Sequence, residues 1–222
     1  MRVSEAIVGR QSIRAFLSDR PVSNETIEAL LNVAGRAPSG SNIQPWQVYV
    51  VRGERKSRIT EACSARFLAG DEGGYEYYYY PREWRQPYIG RRRQTGFGLY
   101  GLLGVDRSDN ASVQNYRVQN YQFFGAPVGL FCTVDDNMGP PQWSDLGMIL
   151  QTIMLLLREQ GLDSCAQESW SVYPKTISEF LGLPEHRKVF AGMAIGYANP
   201  DSPVNQLTSP RAPLSENVEF IS

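Results

Sequence analysis

The chain is poor in the residues that most enzyme chemistries need. It has one histidine in 222 residues. A histidine-based triad would have to use His186, and a metal site of several histidines is excluded. His186 lies in LPEHRK, a polar stretch before a strand, and reads as a surface residue. There are three cysteines, Cys63, Cys132 and Cys165, an odd number without CxxC spacing. That argues against a disulfide framework and against a zinc site, and it fits a reducing, cytoplasmic compartment. The net charge is only −1, so no global field favours nucleic acid or an anionic membrane. The first residues, MRVSEAIVGRQ, lack the apolar core of a signal peptide. The most apolar stretch, 146–157, carries Gln151 and Thr152 and is too short to span a bilayer. An oxidoreductase that relies on a bound organic cofactor needs none of the missing groups.

What is present is a globular chain, 42% hydrophobic and 20% charged, with ample length for a core. Ser4 is a candidate cap for a first helix reaching about Gly9. Ser23 or Asn24 caps a second, in which Ile27, Leu30, Leu31 and Ala34 recur at helical spacing. Strands are expected at 47–51, 127–134, 162–167 and 190–197. Helices are expected at 56–67, 91–103 and 110–123, from Asp145 to a stop at Gly161, and at 175–181. The segment 200–222 has four prolines, no helical period and a final apolar VEFI. Helices and strands mix without strict βαβ alternation, so the fold class is α+β.

Five stretches bear on chemistry. GFGLYG at 96–101 matches GxGxxG, but RRRQT precedes it where a strand should stand, and Tyr121 occupies the place of the acidic residue. The match reads as chance or as helix packing. In GRQSIRAF, the residues Arg10, Ser12 and Arg14 alternate with Gln11 and Ile13, so in an extended segment they share one face. Two guanidiniums and a hydroxyl there suit a phosphate, or else form a basic exposed edge. The loop RAPSGSNIQPW offers Ser39, Gly40, Ser41, Asn42 and Gln44 as polar groups for a polyhydroxyl chain or a heterocycle edge, with Gly40 permitting close backbone approach. Trp46 at its end reads as core. Gln167, Glu168 and Ser169 close a strand, a usual place for ligand contacts. Arg211 is set between Pro210 and Pro213 in a stiff tail.

RQSIRAF, RAPSGSNIQPW, DLGMILQTIMLLLREQGLDSCAQES, AGMAIGYANPDSPVN and SPRAPL, in this order, resemble the nitroreductase-like flavoprotein family. SCAQESWSVYP and the tail look most like its bacterial nitroaromatic-reductase branch. The resemblance covers nearly the whole chain and is weakest from about 66 to 121. It implies one domain over 1–222, with a central mixed or antiparallel sheet flanked by helices. It also implies an intertwined, FMN-dependent homodimer with two active sites at the subunit interface, fed by NADH or NADPH.

By that resemblance Arg10 and Arg211 would hold the FMN phosphate, with Gln11, Ser12 and Ser209 nearby and Arg14 towards the ribityl chain or pyrimidine edge. Pro38, Ser39, Gly40, Ser41 and Asn42 of the other subunit, with Gln44, would line the flavin, and Gln167, Glu168 and Ser169 would sit against its ring. A tail lysine found in one branch is matched here by Ser209. The implied reaction takes a nitroarene to the nitroso and then the hydroxylamine compound in ping-pong order. Reductive dehalogenation, enone or quinone reduction, and flavin binding or processing are the alternatives.

The stretch 67–124 is then a variable helical insertion, and 200–222 a tail that wraps the partner. Long irregular segments in compact domains are usually lids or disordered, and a run this aromatic argues against disorder. Tyr77, Tyr78, Tyr79, Tyr80, Trp84 and Tyr88 could cover a small aromatic substrate, with Arg93 and its neighbours drawing in an anionic group. The plain alternative is a flap packed on the core.

Overall fold

The computed structural model describes residues 1–221. Four strands form one sheet in the order β1-β2-β4-β3, all neighbours antiparallel: β1 (Trp46–Val51), β2 (Val128–Asp135), β3 (Asp163–Gln167) and β4 (Arg187–Gly196). Beyond β3, the segment after the first helix adds a single parallel bridge, Ser12 to Ser164, and Ile13 N–H donates to the Ser164 carbonyl at 3.0 Å.

Helices cover both faces. On one lie α2 (Asn24–Ala34) and α6 (Pro140–Glu159), whose Ile27, Leu30, Leu146, Ile149 and Ile153 pack on Leu130, Cys132, Met193 and Ile195. On the other lie α3 (Gly53–Leu68), α7 (Pro174–Leu181) and two 3-10 segments, 118–125 and 168–172. They enclose Ile59, Tyr121, Phe123, Trp170, Tyr173 and Ile177 against Phe131, Val189 and Ala194. With both faces covered, β2 is buried over seven consecutive residues, which is why it reads as an unbroken apolar run. Burial pushes the Cys63 and Cys132 thiols up to about 12, so both are inert packing groups.

Several boundaries differ from the sequence reading. The first helix, α1 (Val3–Gly9), starts two residues early, with Arg2 closed onto Glu5 and not with a Ser4 cap. α6 begins at Pro140, five residues before Asp145, because proline is tolerated in a first turn. The helix expected at 110–123 ends at Arg117 as α5 (Asn110–Arg117) and continues as a 3-10 segment, in which Phe123 and Phe124 take left-handed backbone angles. GFGLYG lies inside α4 (Tyr88–Leu103), so it is helix surface and not a nucleotide loop. His186 is exposed. Trp46 is half-buried against the core. Among the described residues no helix is long and apolar enough to cross a membrane.

Candidate functional site

The extended segment 10–14 leaves α1 and runs beside β3. Its alternation is realised. Gln11 and Ile13 turn to a cavity of about 270 Å³ that they share with Arg158, Asp163, Asn199 and Asn205. Arg10, Ser12 and Arg14 turn the other way, around Cys165. Burial pushes that thiol up, while Arg14, Arg10 and the Ser12 hydroxyl hold it back. Tyr116 of α5 adjoins the same cluster: burial raises its hydroxyl and Arg14 opposes the rise.

Arg14 is fixed from two sides. Its Nη1 donates to the Ser12 carbonyl at 3.1 Å, and its own N–H donates to Asn205 Oδ1 at 2.8 Å. The Asn205 amide in turn donates to the Ala15 and Asn199 carbonyls. Arg10 and Arg14 form no ion pair with a carboxylate among the described residues. Two half-buried guanidiniums and a hydroxyl on one face, with no anion of the protein to balance them, are a donor set for an external oxyanion.

At the end of β3, Gln167 turns inward. It is 3% exposed, its Nε2 donates to the Asn120 carbonyl, and its Oε1 accepts from Trp170 Nε1 at 3.2 Å. Its side chain is fully engaged, so only its backbone can meet a ligand. The cause is the seating of Trp170 over Gly192, where an added Cβ would lie 2.3 Å from Trp170 Cδ1. With Gln167 turned in, Glu168 turns out to solvent, while Ser169 Oγ reaches Asn120 Oδ1 at 3.4 Å. Protein surrounding Glu168 nonetheless desolvates its carboxyl and pushes its pKa up.

The loop 38–44 is an exposed, tightly specified turn. Ser41, Asn42 and Gln44 have φ of 50°, 58° and 49°, an uncommon triple for side-chain-bearing residues. Gln44 N–H donates to Ser39 Oγ, Gln44 Nε2 donates to the Asn42 carbonyl, and Gly40 N–H donates to Asp145 Oδ2 at 3.2 Å. Pro38 precedes the turn, exposed. Strain concentrated in a surface loop points to a functional constraint. Yet this loop is far from Arg10. It is held at Asp145 near the start of α6, whereas Gly9 lies against Arg158 near its end. At ~1.5 Å rise per residue, these points of α6 are roughly 20 Å apart. The sheet agrees: the loop leads into Trp46 opposite Val134, at the Lys188 end of β4, while Ser12 lies on Ser164 opposite Ile195.

The tail does not bring Arg211 to Arg10 within one chain. Arg211 is exposed and donates only to the carbonyls of Ser209 and Pro210. The tail lies on α4, through Arg91 to Glu216 at 2.8 Å and Leu207 under Gly98.

The aromatic segment divides. The β2–β4 register slips between Cys132 and Thr133, leaving Phe190 without a partner on β2. The Tyr77 hydroxyl donates to the Phe190 carbonyl, and its ring meets Trp143 edge-on at 5.0 Å. Tyr79 packs on the core. Tyr77 is thus an anchor, not a freely presented lid ring. Tyr78, Tyr80 and Tyr88 are exposed, with Arg82 over Tyr78, and Arg92 over both Tyr80 and Trp84 at 5.1 Å. α4 buries no residue, and Arg93 is on its exposed side. Asn120, Asn205, Asp145 and Tyr116 were missed by sequence reasoning. Asn205 and Asp145 had a signal, each lying in a quoted motif, AGMAIGYANPDSPVN and DLGMILQTIMLLLREQGLDSCAQES.

The Nitroreductase family model matches residues 7–197. A 4-nitrobenzoate reductase of Nocardioides sp. (strain LMS-CY) is 36% identical over 98% of this chain and 89% of its own length. A nitrobenzene nitroreductase of Ectopseudomonas oleovorans is 36% identical over 99% and 96%. Among solved structures, the FMN- and NADPH-dependent nitroreductase NfnB of Sphigopyxis sp. strain HMH superposes with a TM-score of 0.97, at 45% identity and full coverage of both chains. The α+β architecture, the order of the five motifs and these matches over nearly the whole chain agree: this chain belongs to the nitroreductase family.

Proposed function

We propose that the protein is an FMN-dependent NAD(P)H oxidoreductase that reduces nitroaromatic compounds to nitroso and hydroxylamino products. The observation that carries this reading is the pair Arg10 and Arg14, uncompensated, sharing one face with Ser12 beside the start of β3. FMN, when bound, supplies the hydride chemistry that no side chain of this protein can perform. Arg10 and Ser12 would hold its phosphate, and Arg14, its backbone fixed by Asn205, would offer a guanidinium to an electron-rich edge of the ring. The backbone of 167–169 lines the ring. Relatives named for nitrobenzoate and nitrobenzene supply the substrate class.

The site is composite in this reading. The separation of roughly 20 Å, by the ~1.5 Å helical rise, keeps loop 38–44 away from Arg10 of its own chain. A homodimer lets a partner's loop and its Arg211 and Ser209 complete each site. Val3, Ile7, Val8, Val33 and Ile43 are exposed apolar residues that such a dimer covers. Tail residues Phe220 and Ile221, 86% and 89% exposed, find cover on the partner in the same way. Segment 67–124 forms a cover beside the site. We read the protein as cytoplasmic. Purified protein should carry the yellow absorbance of flavin and consume NADH or NADPH only when a nitroarene is added. A colourless protein that takes up no FMN would overturn the reading.

A further inference from the structure

Asp145 is a buried carboxylate without a charge partner. It is 3% exposed, in the second turn of α6. Among the described residues no cation pairs with it. Its one hydrogen-bond donor there is the Gly40 N–H, which lies 3.4 Å from Oδ1 and 3.2 Å from Oδ2. Burying a carboxylate against a single neutral donor is costly. What it secures is a turn in a conformation that side-chain-bearing residues avoid, with positive φ at Ser41, Asn42 and Gln44. The other hydrogen bonds of 38–44 are internal, Gln44 N–H to Ser39 Oγ and Gln44 Nε2 to the Asn42 carbonyl among them. The bond to Asp145 is the one that ties this turn to another element among the described residues. Ser41 and Asn42 are exposed, and their side chains make no hydrogen bond within the described chain. The turn is thus fixed through its backbone and free at its side chains.

We propose that Asp145 is a positioning residue for the FMN site of the partner subunit. Its carboxylate holds Gly40 and so sets where Ser41 and Asn42 stand. This rests on the composite site read above, in which each loop 38–44 completes the Arg10 cluster of the other chain. Distance gives the direction of the effect. Asp145 and the part of α6 beside Gly9 are roughly 20 Å apart at the ~1.5 Å helical rise, so through this loop Asp145 does not reach the Arg10 cluster of its own chain. A carboxylate is suited to the task, because a charge-assisted bond to a backbone N–H is stronger than a neutral one. A side chain on a packed helix is also a firmer mount than the loop itself. Without it the internal bonds of the turn remain, and the turn moves as a unit on its two stems.

The test is complementation between two variants in a mixed dimer. Cofactor-free protein is titrated with FMN, and flavin fluorescence gives the dissociation constant. Asp145→Ala should weaken FMN binding by tenfold or more in its homodimer. Arg10→Ala weakens it through the other half of the site. A mixed dimer of one Arg10→Ala chain and one Asp145→Ala chain, purified through two different tags, holds one site with both halves intact. We expect it to bind one FMN per dimer at wild-type affinity. A residue that acts only on stability, or on the site of its own chain, restores no such site. If Asp145→Ala does not fold, Gly40→Pro takes its place in the same mixed dimer. It removes the donor at an exposed position, and Ser39 before it is already extended, as a following proline requires. Wild-type FMN affinity in the Asp145→Ala homodimer would overturn the role and leave the functional reading standing. So would a mixed dimer with no restored site when both homodimers bind weakly. Wild-type affinity in the Arg10→Ala homodimer would instead overturn the reading of the site, and the role with it.

Discussion

Gly192 and Gly129 hollow the sheet where two rings must lie. An added Cβ would meet Trp170 Cδ1 at 2.3 Å in the first case and Phe123 Cζ at 2.5 Å in the second. Those rings pack at 4.4 Å between centroids, and Trp170 then holds Gln167. Gly192→Ala should therefore destabilise the protein by about 1–3 kcal/mol, the usual cost of overpacking. It should also disturb the strand end where Glu168 begins. Denaturant unfolding checks the first expectation and FMN affinity the second, and unchanged values for both would show that Trp170 can move aside. Arg10→Ala tests the anion cluster. A charge-assisted contact contributes about 1.5–3 kcal/mol, so FMN affinity should fall by roughly tenfold to a hundredfold, with unfolding unaffected. Titration of the cofactor-free protein with FMN measures it, and an unaltered dissociation constant would leave these arginines as a basic edge.

The segment 67–124 is two devices in one run of sequence. Its first part is a fastener: Gly74 N–H donates to the Val172 carbonyl at 2.9 Å, Tyr173 donates to the Asp71 carbonyl at 2.7 Å, and Tyr77 takes the Phe190 carbonyl left free by the bulge. Its second part, from Tyr78 through α4, presents rings and guanidiniums outward. The two should separate by mutation. Tyr77→Phe leaves a buried carbonyl unpaired and should cost about 1–3 kcal/mol of stability. The pair Tyr78→Ala with Tyr80→Ala should leave stability and FMN content alone and lower kcat/KM for a nitroarene by about tenfold, equivalent to ~1.4 kcal/mol. Full activity of that pair on every nitroarene tried would make the outer part scaffold as well. The alternation of tyrosines could not reveal this division. It depends on which backbone carbonyl a slipped register leaves unpaired.

For the whole molecule the decisive quantity is a distance. Pieces that the sequence reading assembles into one site lie at opposite ends of α6 and of the sheet. In the proposed reading a second subunit would resolve that separation. A chain ending at Leu207 keeps Asn205, which clamps Arg14, and Val204, which is 2% exposed, but removes the tail. It should sediment as a weakened dimer or a monomer and lose affinity for FMN. A cut at Pro200 would confuse the test, since it also removes the Asn205 clamp. Full-length protein that sediments as a monomer with FMN bound would contradict the composite site.

By itself, the sequence determined what rests on local periodicity and on missing residues. The apolar spacing of α2, the long apolar helix ending at Gly161, the buried run of β2 and the shared face of Arg10, Ser12 and Arg14 are short-range properties of the backbone, legible without a partner. The scarcity of histidine and the unpatterned cysteines likewise excluded whole chemistries without a coordinate. Tertiary structure decided which polar groups remain free. Gln167 and Tyr77 looked like ligand groups and proved to be engaged inside the fold, while Glu168 beside them remains unpaired. Hydrogen bonds between residues some fifty to a hundred positions apart settle that. Such bonds are set by packing against Trp170 and by one bulge in β4, and neither leaves a periodic trace in the chain.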